Sequence, residues 1–432
     1  MNMKPIIQVA LDFDELPRAL KLAREAVAGG ADWLEVGTPL LKSEGMEAVR
    51  TLRKEFPERR IVCDTKTMDA GRAEMEMAAK SGAQIAVVMG IAPDETIRDA
   101  VRAGKHYGIE VTADMMGVAD IAERAAQLAE WGVDQICVHT PIDEQMAGTI
   151  SFDRVRAVAA AVDLPISVAG GINSETAAEA VAAGASIVIV GGALTKAKDA
   201  RQAAADLRRA VDQGVKVETH LYKRAASEAD IRKVFGLAST ANISDGNHRA
   251  PCLPGIHAVS PDLKMVGRAV TVRTYPGDWA KPVEAIDTAP PGSVIVIAAG
   301  GVPPAVWGEL ATHSAIQQQV AGVVIDGAIR DTADIRRLKF PAFARHITSN
   351  AGEPKGLGEI GVPIVIAGTP VCPGDWVVGD DDGVLIIARD RAAEIANRGQ
   401  DCLEKENRIR AEITEGKSTL AQVQNLLRWE KV

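Results

Sequence analysis

The stretch Arg60–Gly71, RIVCDTKTMDAG, decides how the first half of the chain is read. A short apolar run ends in a knot of charge at Asp64, Lys66 and Asp69, and the glycine after it opens GRAEMEMAAKSG, a segment of helical period. A strand, a charged turn and a helix thus follow one another directly. The period of two along a strand puts Asp64 and Lys66 on one face, both pointing inward, with Asp69 past the strand end.

The same unit recurs along residues 1–212. IIQVAL, WLEV, RIVCDT, QIAVVM, IEVTAD, QICVH, PISVAG and SIVIVG are eight short runs rich in β-branched residues, separated by alanine-rich helical stretches, several closed by glycine. Eight strand–helix units predict an α/β fold, a (β/α)8 TIM barrel. An open doubly wound sheet is the competing arrangement, but the glycine fingerprint of a dinucleotide fold is missing after the first strand. The rhythm breaks near residue 212, and residues 213–224 read as a charged linker. Residues 225–390 form a second α/β region, with AVTVRTY, SVIVIAAGG, GVVIDG, PIVIAG and GVLIIA as strands and no eightfold repeat. Residues 391–432 are highly charged and helical in period, which predicts a solvated or subunit-packing helical tail.

Composition agrees with two domains. The chain has 432 residues, 47% hydrophobic and 25% charged, enough for two independent cores. Its net charge of -9 is spread, with Lys and Arg interspersed among Asp and Glu, which argues against a nucleic-acid partner. The five cysteines lie far apart and show no metal or disulfide spacing, so they read as reduced thiols, with Cys63 and Cys137 packing inside strands. No run approaches the roughly 18 apolar residues of a membrane span, and the opening MNMKPIIQVALDFDELP turns acidic after a short apolar run. An untargeted, cytoplasmic protein is expected.

Barrels carry their chemistry at the C-terminal ends of the strands. There the sequence places Asp12, Glu35, Asp64, Lys66, Asp114 and His139. Each alone could be a helix N-cap or a solvated loop residue. Gathered at one mouth they would repel or desolvate one another unless a ligand, a metal or proton transfer used them. The last two strands run into VAGGIN, with Gly170 and Gly171, and VGGALT, with Gly191 and Gly192. Paired glycine turns at these positions suit a phosphate, whose oxygens meet backbone N–H groups.

These residues together resemble the orotidine-5'-monophosphate decarboxylase suprafamily over about residues 3–212. Within it, VHTPIDEQMAG and IVIVGGALTKAKD are most similar to the 3-hexulose-6-phosphate synthase family. The resemblance implies a lyase of the aldolase type that interconverts D-ribulose 5-phosphate plus formaldehyde and D-arabino-hex-3-ulose 6-phosphate, the chemistry of the ribulose monophosphate pathway. It implies a magnesium (or manganese) ion held by Glu35 and Asp64, His139 as the acid/base at C1, and Asp12, Lys66 and Asp69 around the sugar hydroxyls and the enediolate, with Asp69 acting across a dimer interface. Asp114 and the four glycines are then substrate contacts. Related sugar-acid-phosphate decarboxylases often carry Arg in the last phosphate loop and Glu near the end of the fifth strand, where this chain has Gly192 and Asp114.

In the second half the dense region is Gly300–Asp331, where WGELA opens a helix and IDGAIRD sets Arg330 beside Asp331. From STANISDG to GVLIIAR the chain resembles the family joining ribonuclease-activity regulator A with 4-hydroxy-4-methyl-2-oxoglutarate aldolases. The aldolase branch implies that Arg330 binds a pyruvate-like unit, Asp331 holds a divalent metal, and the backbone at Gly308, Glu309 and Leu310 completes the site. SDGN departs from the SDA common in that family, at an entrance helix. The regulator branch implies instead a module that binds a ribonuclease without catalysis, and the alternative for the whole chain is a sugar-acid-phosphate decarboxylase barrel with such a non-catalytic oligomerising or ribonuclease-regulator-like module. Both families imply homo-oligomers, a dimer through the barrel and a trimer through the second domain.

Overall fold

The computed structural model describes residues 4–141, 145–146, 152–219, 221 and 223–424. Residues 142–144 and 147–148 of the VHTPIDEQMAG motif, residues 220 and 222 of the linker stretch, and residues 425–432 of the tail lie outside the described residues. One compact unit holds the barrel together with residues 404–424; the other holds residues 223–403.

In the barrel unit β1 (Ile6–Leu11), β2 (Trp33–Val36), β3 (Arg60–Thr67), β4 (Ile85–Met89), β5 (Glu110–Asp114), β6 (Gln135–His139), β7 (Ile166–Ala169) and β8 (Ile187–Val190) pair in sequence order, and β8 closes on β1. All these pairings are parallel. The closed (β/α)8 barrel expected from the repeat is the fold found. The runs are almost continuously apolar because strands of a parallel barrel are covered on both faces. Leu22, Leu40, Leu52, Met75, Ile97 and Leu128 from the surrounding helices are fully buried against them, each such side chain stabilising the fold by about 1.5–3 kcal/mol. Helix starts follow their capping residues: Asp120 accepts the N–H of Glu123 and Asp199 that of Gln202.

One local expectation fails. Regular alternation does not persist through β3, because its pairing with β4 shifts register between Cys63 and Thr67 and Lys66 adopts φ 45°. Asp64 and Lys66 do meet, but through this bulge rather than through simple period-two geometry.

The second unit is built on a mixed sheet. Its strands are β9 (His257–Ala258), β10 (Met265–Arg273), β11 (Val294–Ala298), β12 (Ala305–Trp307), β13 (Gly322–Ile329), β14 (Ala342–Ile347), β15 (Glu359–Ile360), β16 (Ile364–Ile366), β17 (Thr369–Val371), β18 (Trp376–Asp380) and β19 (Gly383–Ile387). The main order is β19-β18-β10-β11-β13-β14-β9, with β12 beside β13, β15 beside β10, and β16 with β17 as a separate pair. Alternation along β11 explains the layering: Ile295 and Ile297 enter one core with Trp307 and Ile325, while Val294 and Val296 enter the opposite one with Phe343 and Ile366. The entrance helix Thr240–Gly246 forms despite the SDGN departure, with a capping box between Ser239 and Asn242.

The tail is not a solvated appendage. Its helix runs Ala392–Gly416. In the second unit Ala392, Ile395 and Ala396 pack in a core with Phe235 and Trp376. Residues from 404 onward belong to the barrel unit, where Arg408 is 5% exposed. Among the described residues no helix is long and apolar enough to cross a membrane.

Candidate functional site

Six of the expected side chains converge at the C-terminal rim of the barrel. Asp64 and Asp114 are 6% and 2% exposed, and Glu35 is 7% exposed. Lys66 Nζ donates to Asp64 Oδ2 at 2.6 Å and lies 3.5 Å from Asp114 Oδ2. Asp114 Oδ2 is also 2.9 Å from His139 Nδ1, and its Oδ1 accepts the N–H of Met116 at 2.9 Å. A continuous chain therefore runs Asp64, Lys66, Asp114, His139. Asp12 follows β1 and sits against the turns after β2 and β8: a Cβ on Gly37 would collide with its carboxylate, and one on Gly191 would lie 3.0 Å from Oδ2.

The charges explain one another. Burial raises Asp12 above the usual carboxylate range, helped by Asp64 and opposed by Lys66 and His139. Glu35 is pushed up to about 8, first by burial and then by Asp64 and Asp12. Burial alone would lower Lys66, but Asp64 and Asp114 outweigh it, so the ammonium stays protonated. Burial works against ionised Asp114 as well, yet the hydrogen bond from His139 and the nearby cations hold its carboxyl low. An ionised Asp114 accepts, so His139 donates through Nδ1 and keeps Nε2 for proton exchange. Glu35 and Asp64 supply the carboxylate oxygens that hard divalent cations prefer, and a cation there would offset the burial and mutual repulsion that disfavour their charge. Asp114, Cys137 and His139 also bring ligand atoms within 4.8 Å of one another. Asp114 is spent on His139 and Lys66 there, and burial pushes the Cys137 thiol well up, as it does Cys63, in keeping with packing roles for both.

Asp69 is not part of this cluster among the described residues. It is exposed, and its Oδ1 accepts the N–H of Ala70 at the start of the helix Gly71–Lys80. Asp114, expected as a substrate contact, has its carboxylate engaged on His139, Lys66 and Met116. Two supporting residues escaped the sequence reading. Gln8 Nε2 donates to Glu35 Oε2 at 2.6 Å, and Thr38 Oγ1 donates to Asp64 Oδ2 at 2.7 Å. Gln8 was findable, since Gln8, Ala10 and Asp12 share one face of β1 by the period of two.

The glycine turns lie next to this cluster. Gly170 has φ 94°, and a Cβ there would run into the carbonyl of Thr140, so the backbone comes close only because the residue is glycine. Gly191 and Gly192 open the short helix Gly192–Thr195.

In the second unit Arg330 and Asp331 follow β13, and the Arg330 N–H bonds the carbonyl of Trp307 in β12 at 3.0 Å. Asp331 Oδ2 accepts the N–H of Glu309 at 3.1 Å and lies 3.5 Å from Arg330 Nε. Gly308 permits this approach, since a Cβ on it would stand 2.5 Å from Asp331 Oδ2. The expected residues thus meet at the start of the helix Glu309–Gln317, in an open setting where the Arg330 and Asp331 side chains are 43% and 38% exposed and Leu310 is exposed too.

Comparison with known proteins divides the chain the same way. Residues 5–207 match the family described as Orotidine 5'-phosphate decarboxylase / HUMPS family, and residues 240–386 match RraA-like, Aldolase/RraA. A 3-hexulose-6-phosphate synthase of Bacillus subtilis (strain 168) is 37% identical over 209 residues, 48% of this chain and 99% of the relative. That of Methylomonas aminofaciens is 39% identical over 203 residues, 47% of this chain and 97% of the relative. The solved 3-hexulose-6-phosphate synthase of Salmonella typhimurium is 35% identical with a TM-score of 0.47, covering 49% of this chain and 100% of that one. The solved RNA-processing inhibitor RraA of Thermus thermophilis is 29% identical with a TM-score of 0.33, covering 35% and 92%.

Proposed function

Because the chain belongs to the Orotidine 5'-phosphate decarboxylase / HUMPS family through residues 5–207 and fuses to it an RraA-like domain at residues 240–386, we propose that its barrel joins ribulose 5-phosphate to formaldehyde and cleaves the resulting hexulose 6-phosphate. An aldol lyase or synthase is the activity the relatives support. The observation that carries the finer reading is the chain Asp64, Lys66, Asp114, His139 set beside the glycine turns.

In the synthetic direction His139 Nε2 takes the proton from C1 of the ketose phosphate, and Asp114 stabilises the imidazolium while fixing the ring. Lys66 holds its positive charge beside the oxygens that turn anionic as the C1 proton leaves. C1 then attacks formaldehyde, and the new alkoxide takes up the proton that His139 carries. In reverse, His139 returns the proton to C1 after the carbon–carbon bond breaks. A divalent cation held by Glu35 and Asp64 would supply further positive charge against the developing oxyanion. The turns at Gly170–Gly171 and Gly191–Gly192 anchor the phosphate. Incubation with ribulose 5-phosphate, formaldehyde and magnesium should consume formaldehyde, and Ala at position 139 should stop it. Carbon dioxide release from a 3-keto sugar-acid phosphate, with no formaldehyde loss, would move the assignment to a decarboxylase.

For the second unit the meeting of Arg330, Asp331 and the Gly308–Leu310 backbone supports a metal-assisted aldolase for a 2-oxo acid. Arg330 would pair with the carboxylate of the pyruvate-like unit. The check is pyruvate release from 4-hydroxy-4-methyl-2-oxoglutarate with magnesium, lost in Arg330→Ala. Silence in both proteins would leave this domain a binding module.

A further inference from the structure

The phosphate turn after β8 is held from outside the family fold. Its helix is a single turn, in which the Leu194 carbonyl accepts the N–H of Ala197 at 3.2 Å. Arg408, from the helix Ala392–Gly416, donates through Nη1 to the carbonyls of Leu194 and Ala197, both at 3.1 Å. The same guanidinium bonds Glu25 through Nη2 at 3.1 Å and Glu412 through Nε at 3.3 Å. It is 5% exposed, so these bonds are made out of water, with two carboxylates offsetting its charge. One turn earlier on that helix, Glu404 Oε2 lies 4.0 Å from Lys196 Nζ. Lys196 leans back over the turn, with Nζ 3.5 Å from the place a Cβ on Gly192 would occupy. Residues 404–408 therefore hold the latter part of Gly191–Ala197, at Leu194, Lys196 and Ala197.

A cavity of about 880 Å3 borders this turn, lined by Asn173, Leu194, Lys196, Glu404 and Asn407 among others. A backbone turn beside open space has fewer packed atoms to fix it, which raises the weight of each directed bond. The family match ends at residue 207, far before the arginine.

We propose that Arg408 is a positioning residue for phosphate binding: it fixes the Gly191–Ala197 turn through the Leu194 and Ala197 carbonyls, so that residues following the RraA-like domain set the barrel's affinity for phosphorylated substrate. The proposal rests on the reading of this turn as the phosphate site. Its test uses the full chain with Arg408→Ala and the milder Arg408→Lys, which keeps charge and stem but loses the fork. The binding of inorganic phosphate is followed by calorimetry, with KM for ribulose 5-phosphate and for formaldehyde measured separately. Arg408→Ala should raise the phosphate Kd and the ribulose 5-phosphate KM in parallel, about tenfold, with the formaldehyde KM within twofold. Arg408→Lys should recover most of the loss, to within about threefold of wild type. An unchanged phosphate Kd in folded Arg408→Ala overturns the proposal, as does an equal rise in both KM values. Calorimetry separates it from the proposed reaction. A wild-type chain that binds phosphate but consumes no formaldehyde refutes the synthase reading alone, and the variant Kd values then decide on Arg408.

Discussion

His139 gives one ring nitrogen to Asp114 at 2.9 Å, and the proposed reaction uses the other. Removing the ring removes the proton carrier, so Ala at position 139 should lower kcat by about 10²–10⁴-fold while the ribulose 5-phosphate KM stays within a few-fold, in steady-state assays of formaldehyde loss. Asp114→Asn should act in the same direction, since an amide can donate to Nδ1 and invert the tautomer. Glu35 provides an independent check on the cation. Its carboxyl titrates at about 8 because burial and the neighbouring Asp64 and Asp12 disfavour its charge. At pH 7 it is mostly protonated, so a cation that takes the carboxylate must displace a proton. Magnesium titration of chelator-treated protein should release protons at pH 7, fewer at pH 9, and fewer at both in Glu35→Gln; calorimetry in buffers of different ionisation enthalpy reads this directly. The identities of these residues were legible in the sequence because each ends an apolar run. Their partners were less so: Asp69, past the strand end, carries the same carboxylate as Asp64 yet faces solvent.

At the scale of elements, the eight strands were legible for a physical reason, since strands covered on both faces must be apolar throughout. The bulge in β3 was not, because a lysine at φ 45° runs against local propensity and no residue of the run marks it. The same limit hid a loop anchor in the second unit. Asp278, 3% exposed, accepts the N–H groups of Ala280 and Lys355 at 3.1 Å, Gly356 at 3.3 Å and Leu357 at 2.9 Å. Burial would raise its carboxyl, but these backbone donors outweigh it and hold it below the usual value. A depressed folded-state pKa gives stability that is complete above the unfolded value of about 3.9 and is lost as pH falls through the lower folded one. Asp278→Asn should therefore cost about 2 kcal/mol at pH 7. In denaturant melts, the gap from wild type should hold down to about pH 4 and close below it.

For the whole molecule, the change of rhythm near residue 212 marked two bodies, and each has its own apolar core. The destination of the charged tail was hidden. Its helix carries few apolar residues after Ala396, and a buried arginine such as Arg408 has no hydrophobic periodicity to betray it. The two proposed sites together make a prediction that neither makes alone. His139 and Arg330 belong to different compact units and to separate clusters of side chains. Substitutions without shared partners generally act independently. In the full chain, Ala at position 139 should lower formaldehyde consumption by about 10²–10⁴-fold while leaving pyruvate release within about twofold of wild type. Arg330→Ala should do the reverse, and the double variant should lose both to the extent of the single ones. The assays run on one preparation, with magnesium present and both substrates offered in turn. A fall in formaldehyde consumption beyond twofold in Arg330→Ala would mean that the second site influences the first, and ribulose 5-phosphate KM, compared with kcat, would then show whether that influence falls on binding or on the chemical step.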